Sequence, residues 1–164
     1  MLVHDERRIE MRLRALLPFG VLVLLQACGQ GRSDDIRDKV LAAPEKGLCA
    51  LDSLNGKDFG GGAVDVRAGE ALTFVGWAAD SNKKPPSTVT VVLQNDKTGV
   101  AVEGKLGAAR ADVAQSLNAP ELANSGFTAS AQPALGGGSY SVVLLLKGSS
   151  RDERCDTRRT VNVR

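Results

Sequence analysis

The sequence predicts an all-β fold, a sandwich of about seven short strands with one short helical turn, and three observations carry that prediction. Alternating apolar segments recur between residue 47 and the C-terminus, bounded by turn clusters of Gly, Pro, Asn, Asp and Ser. Eighteen glycines suit a chain with many turns better than one built from long helices. Aromatic residues make up only 4%, so the core must be packed mostly from Val, Leu and Ala. At 164 residues, with 43% hydrophobic and 24% charged residues and a net charge of +2, the chain has room for one globular domain and lacks the charge excess of a nucleic-acid-binding protein.

Residues 69–80 are the expected centre of the sheet. One register places Leu72, Phe74, Gly76 and Ala78 on one face and Thr73, Val75 and Trp77 on the other. Both faces read as largely buried, with Trp77, the only tryptophan, in the core.

Around that strand, residues 47–51 form a candidate first strand, residues 55–62 a loop by composition, and residues 63–67 a short strand ended by Ala68-Gly69. Neither Gly60-Gly61-Gly62 nor Gly136-Gly137-Gly138 opens a helix with Gly-Lys-Ser/Thr, so no phosphate loop is implied. Residues 80–87 are a turn cluster with two prolines; residues 88–94 then alternate, with Val89, Val91 and Leu93 inward, and a hairpin loop at residues 95–99 leads into residues 100–102. Asp112 and Gln115 have the spacing of a capping box, opening a helical turn that runs to about Leu117 and stops before Pro120. Ser125-Gly126 turns the chain into residues 127–131, residues 139–147 form the longest apolar strand, and residues 158–163 the last.

Ahead of the domain the sequence reads as an address. Arg12 and Arg14 precede an apolar run from Ala15 to Leu25, the order of an export signal. Interrupted by Pro18 and Gly20, that run falls short of the roughly 20 apolar residues that a transmembrane helix needs. Leu25-Gln26-Ala27-Cys28 resembles the lipobox of bacterial lipoproteins, with Gln26 where a small residue is usual. The resemblance implies a diacylglycerol thioether on Cys28 and cleavage just before it. With Gly29 rather than Asp next, it also implies transfer to the outer membrane, facing the periplasm or exposed at the surface. Residues 1–27 are then a signal peptide that carries away His4, the only histidine, and leaves seventeen Lys and Arg against sixteen Asp and Glu. Residues 28–46 read as a polar tether, a spacer holding at most one short helical piece (Ile36, Val40, Leu41) before Pro44, with docking of that piece as the alternative. The β-sandwich domain is assigned to residues 47–164.

Once Cys28 is lipidated, Cys49 and Cys155 are the remaining cysteines of a chain bound for an oxidising compartment, and they are expected to pair. They lack the Cys-x-x-Cys spacing of a redox-active pair.

Four short motifs resemble, in order and spacing, a domain of bacterial exported and membrane-anchored proteins. They are Gly76-Trp77-Ala78 with Asp80, Arg110-Ala111-Asp112-Val113-Ala114, Asn124-Ser125-Gly126-Phe127 and Gly138-Ser139-Tyr140. The resemblance runs roughly from Cys49 to the C-terminus and implies an immunoglobulin-like sandwich, with no activity or ligand attached. Ala111 stands where proline often follows the motif arginine.

Without a histidine the mature chain cannot assemble a Ser-His-Asp or Cys-His nucleophile. Asp65, Asp80, Asp96, Glu103 and Asp112 are scattered over separate turns, where solvated surface positions are expected. Asp80 and Asp112 with Arg110 further suggest a structural ion pair or cap near the end of the central strand. A calcium or small-ligand site from Asp80, Ser81, Asn82 and Asp112 is the sharper alternative, without calcium-loop spacing. The C-terminal arginines (Arg151, Arg154, Arg158, Arg159, Arg164) are interleaved with Asp152, Glu153 and Asp156 and lack stacking aromatics, which argues against a nucleic-acid partner. The expectation is a lipid-anchored, non-enzymatic module of the cell envelope, without metal or cofactor, that contacts another envelope protein. The alternative is a carbohydrate-binding sandwich presenting Trp77 or Tyr140 to a glycan.

Overall fold

A computed structural model describes residues 33–60 and 62–164, so the signal segment, His4 and Cys28 lie outside the described residues. The elements in chain order are helix α1 (Ser33–Ala42), strands β1 (Leu48–Leu54), β2 (Lys57–Asp58), β3 (Ala63–Val66), β4 (Leu72–Ala79), β5 (Thr88–Gln94) and β6 (Gly99–Ala108), helix α2 (Ala111–Ser116), a 3-10 helix (Pro120–Asn124), and strands β7 (Gly126–Ala131), β8 (Gly138–Lys147) and β9 (Asp152–Val163). The fold is all-β, as the sequence predicts.

The described strands join in one sheet, ordered β2-β1-β4-β7-β6-β5-β8-β9-β3 and antiparallel except where β3 lies parallel to β9. That sheet curls on itself. Leu51, Phe74 and Phe127 from one half share a single core with Val91, Leu144 and Val161 from the other. Strands β1 and β9, near opposite ends of the order, consequently meet. The Gly47 N–H donates to the Arg154 carbonyl at 3.1 Å and the Arg154 N–H to the Pro44 carbonyl at 2.9 Å. Beside them Cys49 and Cys155, separated by 106 residues, are disulfide-bonded with their Cα atoms 6.1 Å apart. The two halves form a sandwich whose open side is stapled shut.

Strand alternation leaves a second apolar stripe on each outer face. On β5 and β8, Val92, Val143 and Leu145 point outward, and α1 covers them with Ile36 and Val40. These two residues, four apart, make one helical stripe; Leu41, off it, is 70% exposed. The segment read as a spacer therefore contains a docked helix, its end pinned by the Arg154 guanidinium donating to the Val40 carbonyl at 2.9 Å. On the other half, α2 and the 3-10 helix cover Leu48, Trp77 and Ala79 with Val113, Ala119 and Leu122.

The central strand departs from expectation on one face. Leu72, Phe74, Gly76 and Ala78 are buried as predicted, but Val75 is 37% exposed and Trp77 only half-buried, outside the main core. Strand β6 extends to Ala108, and β9 starts at Asp152, which places Cys155 inside the strand. The β8–β9 register slips between Val142 and Val143, where Thr157 and Arg158 (φ 54°) bulge and break the alternation that marks a strand in the sequence.

Candidate functional site

The acids and the arginine singled out by the motifs fall into two separate constellations. Asp80, expected at the solvated surface or beside Asp112, is 1% exposed at the end of β4. Its Oδ1 accepts from the backbone N–H of Asn82 (2.9 Å) and of Lys84 (3.0 Å), and its Oδ2 from the N–H (2.9 Å) and hydroxyl (2.6 Å) of Ser149. A turn leaving a strand carries N–H groups with no ladder partner, and one carboxylate here satisfies four donors. Burial by itself would raise the Asp80 pKa, but the Ser149 hydroxyl and amide and the Lys84 and Asn82 amides outweigh it and hold the carboxyl below its ordinary value. Glu153, also buried, treats Ser81 in the same way, taking its N–H at 2.8 Å and its hydroxyl at 2.6 Å. The two carboxylates tie the β4–β5 turn to the β8–β9 turn. Gly148 permits the approach, because a Cβ there would lie 2.8 Å from the Arg151 carbonyl oxygen and 3.1 Å from the Asp80 Cβ. With their oxygens turned to N–H and O–H donors and Asp112 elsewhere, Asp80, Ser81 and Asn82 do not converge as calcium ligands.

The second constellation lies on the outer face of β1, β4 and β7. Arg110 places Nε and Nη2 on the two oxygens of Asp112 (3.0 and 2.8 Å) and Nη1 on Asp52 of β1 (2.7 Å). Its stem crosses Gly126, where any Cβ would lie 3.0 Å from the Arg110 Cγ, and Gly126 is the register partner of Trp77. The guanidinium thus reaches across the sheet from the β6–α2 corner to β1. The capping box does not form. Helix α2 begins one residue before Asp112, Arg110 occupies the cap position without a side-chain cap bond, and the guanidinium claims the Asp112 carboxylate. This two-pronged contact drives Asp112 down to about 2 and raises Arg110 above its own ordinary value. The motif ion pair therefore joins Arg110 to Asp112, with Asp52 in the place expected of Asp80. Asp52 is the irregular residue between Leu51 and Ser53 in the β1–β4 register, and no periodicity in the sequence marks it.

Asp52 and Asp112 flank a single guanidinium. The rest of the face carries the half-buried Trp77, the exposed Val75, and Thr73 and Ser130 with their hydroxyls 3.0 Å apart. Exposed Thr128 and Lys105 pair across β6 and β7 beside them. Tyr140 is 2% exposed and donates to the Gly136 carbonyl at 3.0 Å, so it belongs to the core and presents no ring to a ligand. Ser125 Oγ is buried without a hydrogen-bond partner among the described residues.

Two depressions mark the surface of the described residues. One of about 730 Å³, lined by Lys57, Arg67, Glu70 and Arg164, lies where the β2 and β3 ends of the sheet approach each other. Its cations face acids, Arg164 pairing with Asp65 at 2.7 Å. A groove of about 370 Å³ runs between α1 and strands β5, β6 and β8. Among the described residues, no cluster of His, Cys, Asp or Glu could hold a metal ion, and no helix is long and apolar enough to cross a membrane. No protein-family model matches the chain, and no curated protein matches it.

Proposed function

We propose that the chain is a lipid-anchored protein of the bacterial outer membrane, facing the periplasm, that binds another envelope protein and catalyses nothing itself. The observation that carries this reading is the outer face of β4 and β7. There Val75 and Trp77 remain partly open to solvent while Arg110, Asp52 and Asp112 hold the surrounding elements in place. An aromatic and an aliphatic side chain framed by an arginine and hydroxyls is the composition of an interface centre. Anchorage rests on the lipobox at Cys28, where more than one acyl chain is needed for stable attachment.

The test is crosslinking in intact cells followed by recovery from membranes. Wild type should bring down one partner, Val75→Arg should lose it without a change in unfolding midpoint, and Cys28→Ala should leave the protein in the soluble periplasmic fraction. Capture that is indifferent to Val75→Arg would reject this face.

The partial exposure of Trp77 favours one second reading, a glycan stacking on its ring beside Arg110. Titrating envelope polysaccharide against the single tryptophan's emission decides it, since a binder shifts that emission saturably and a protein-docking face does not.

A further inference from the structure

Helix α1 fixes how far the domain can stand from whatever holds its N-terminus. Were residues 28–46 slack throughout, their contour would let the sandwich float about 65 Å from an anchored Cys28. With α1 docked through Ile36 and Val40, only Gly29 to Arg32 separate Cys28 from the start of the helix at Ser33, and the leash is at most about 18 Å.

The three apolar clusters stack in a set order. Helix α1 lies on the outer face of β5 and β8, the main core follows, and α2 with the 3-10 helix lies on the outer face of β1 and β4. The two helical layers therefore occupy opposite sides of the sandwich. Ile36, in the first turn of α1, lines the groove with Ala101 and Glu103 of β6, Thr88 of β5 and Lys147 of β8.

We infer that α1 orients the domain on a lipid bilayer, turning the outer face of β5, β6 and β8 toward the headgroups and the Trp77–Val75–Arg110 face away from them. This rests on the lipidation of Cys28 proposed above. Exposed Leu41, Lys39 and Lys147 suit an interface with headgroups, but Lys39 is paired with Asp35 at 3.2 Å and Glu103 and Asp152 add further negative charge, so the short leash sets the orientation rather than electrostatic attraction.

The experiment is lysine footprinting of the full-length protein in phosphatidylethanolamine–phosphatidylglycerol vesicles, using an impermeant amine reagent and mass spectrometry. The reference is a variant with a long Gly-Ser insertion between Arg32 and Ser33, which leaves the folded domain untouched. Labelling at Lys39 and Lys147 should be several-fold lower in wild type than in the lengthened variant. Lys83, whose Nζ donates to the Leu117 carbonyl on the α2 side, and Lys57 should label equally in both. The mass of the N-terminal peptide is read from the same digests. Unmodified Cys28 removes both the anchor and the orientation. Lipidated Cys28 with even labelling, or with protection at Lys83, overturns the orientation alone.

Discussion

At Asp80, one carboxylate organises two loops that are 69 residues apart in the chain. Half of this is local, since an Asp leaving a strand can bond the backbone of its own turn, as it does with Asn82 and Lys84, although the expectation from sequence was a solvated position or an ion pair with Arg110. The other half, Ser149, carries no local signal. Asp80→Asn keeps the shape but replaces an acceptor oxygen with a donor, and should cost about 2–3 kcal/mol in urea unfolding at neutral pH. The pH dependence has a definite sign. Because the folded pKa lies below the ordinary 3.8, the stabilisation is complete above that value and is lost as pH falls through the folded one. Wild type should therefore lose more stability than Asp80→Asn when urea midpoints at pH 6 are compared with those near pH 3, and equal losses would show that the carboxylate is not ion-stabilised. The Arg110–Asp112 pair was legible from the two residues' places in one motif, though with Asp80 expected beside them and without the geometry that replaced the capping box. Arg110→Lys keeps the charge but not the fork, and should move the Asp112 carboxyl up from about 2 toward its ordinary value in a carbon-detected NMR titration.

Among the elements, strands marked by alternation (β4, β5, β7) or by a continuous apolar run (β8) were readable, which is why they lie where the sequence predicts them. The misreadings have separate physical causes. Asn55-Gly56, with φ of 51° and 74°, is a two-residue hairpin turn pairing Leu54 with Lys57, and the glycines that follow disguised it as loop. Phe59, inside that supposed loop, is 1% exposed in the core with Arg159 over its ring at 5.9 Å. Helix α1 is short and polar, so its docking depends on a stripe of outward valines on β5 and β8 that only the fold assembles. Trp77 was assigned to the core because its strand is apolar, yet the outer face of β4 is covered only as far as α2 and the 3-10 helix extend. Gly76 tests the tightness of that strand. A Cβ there would be driven into the Ala50 carbonyl oxygen and would sit 3.2 Å from the Phe127 ring, so Gly76→Ala should cost about 1–3 kcal/mol. Gly136→Ala, which meets nothing within 4 Å, should stay within about 0.5 kcal/mol of wild type under the same urea titration.

Over the whole molecule, stability depends on keeping a single curled sheet closed. The seam is held by two backbone hydrogen bonds around Arg154, by the plug of Phe59, and by the disulfide between β1 and β9. That bridge was readable from cysteine count and the expected compartment, because no other pairing remained once Cys28 was set aside. What the sequence could not show is that the bridge closes the sandwich and also secures its outer helix. Arg154, next to Cys155, donates both to the Val40 carbonyl of α1 and to Glu45 at 3.5 Å. Replacing both cysteines, Cys49→Ser with Cys155→Ser, frees a loop of about 100 residues in the unfolded chain and should cost about 3–5 kcal/mol. The loss should also have a location. Hydrogen exchange should quicken first at the amides of Gly47 and Arg154 and through α1, while the β5–β8 pairing, remote from the seam, keeps its protection. Uniform quickening across all strands would mean that the bridge acts only on the unfolded chain. Selective loss at the seam would mean that the covalent staple also governs whether α1 stays on the sheet.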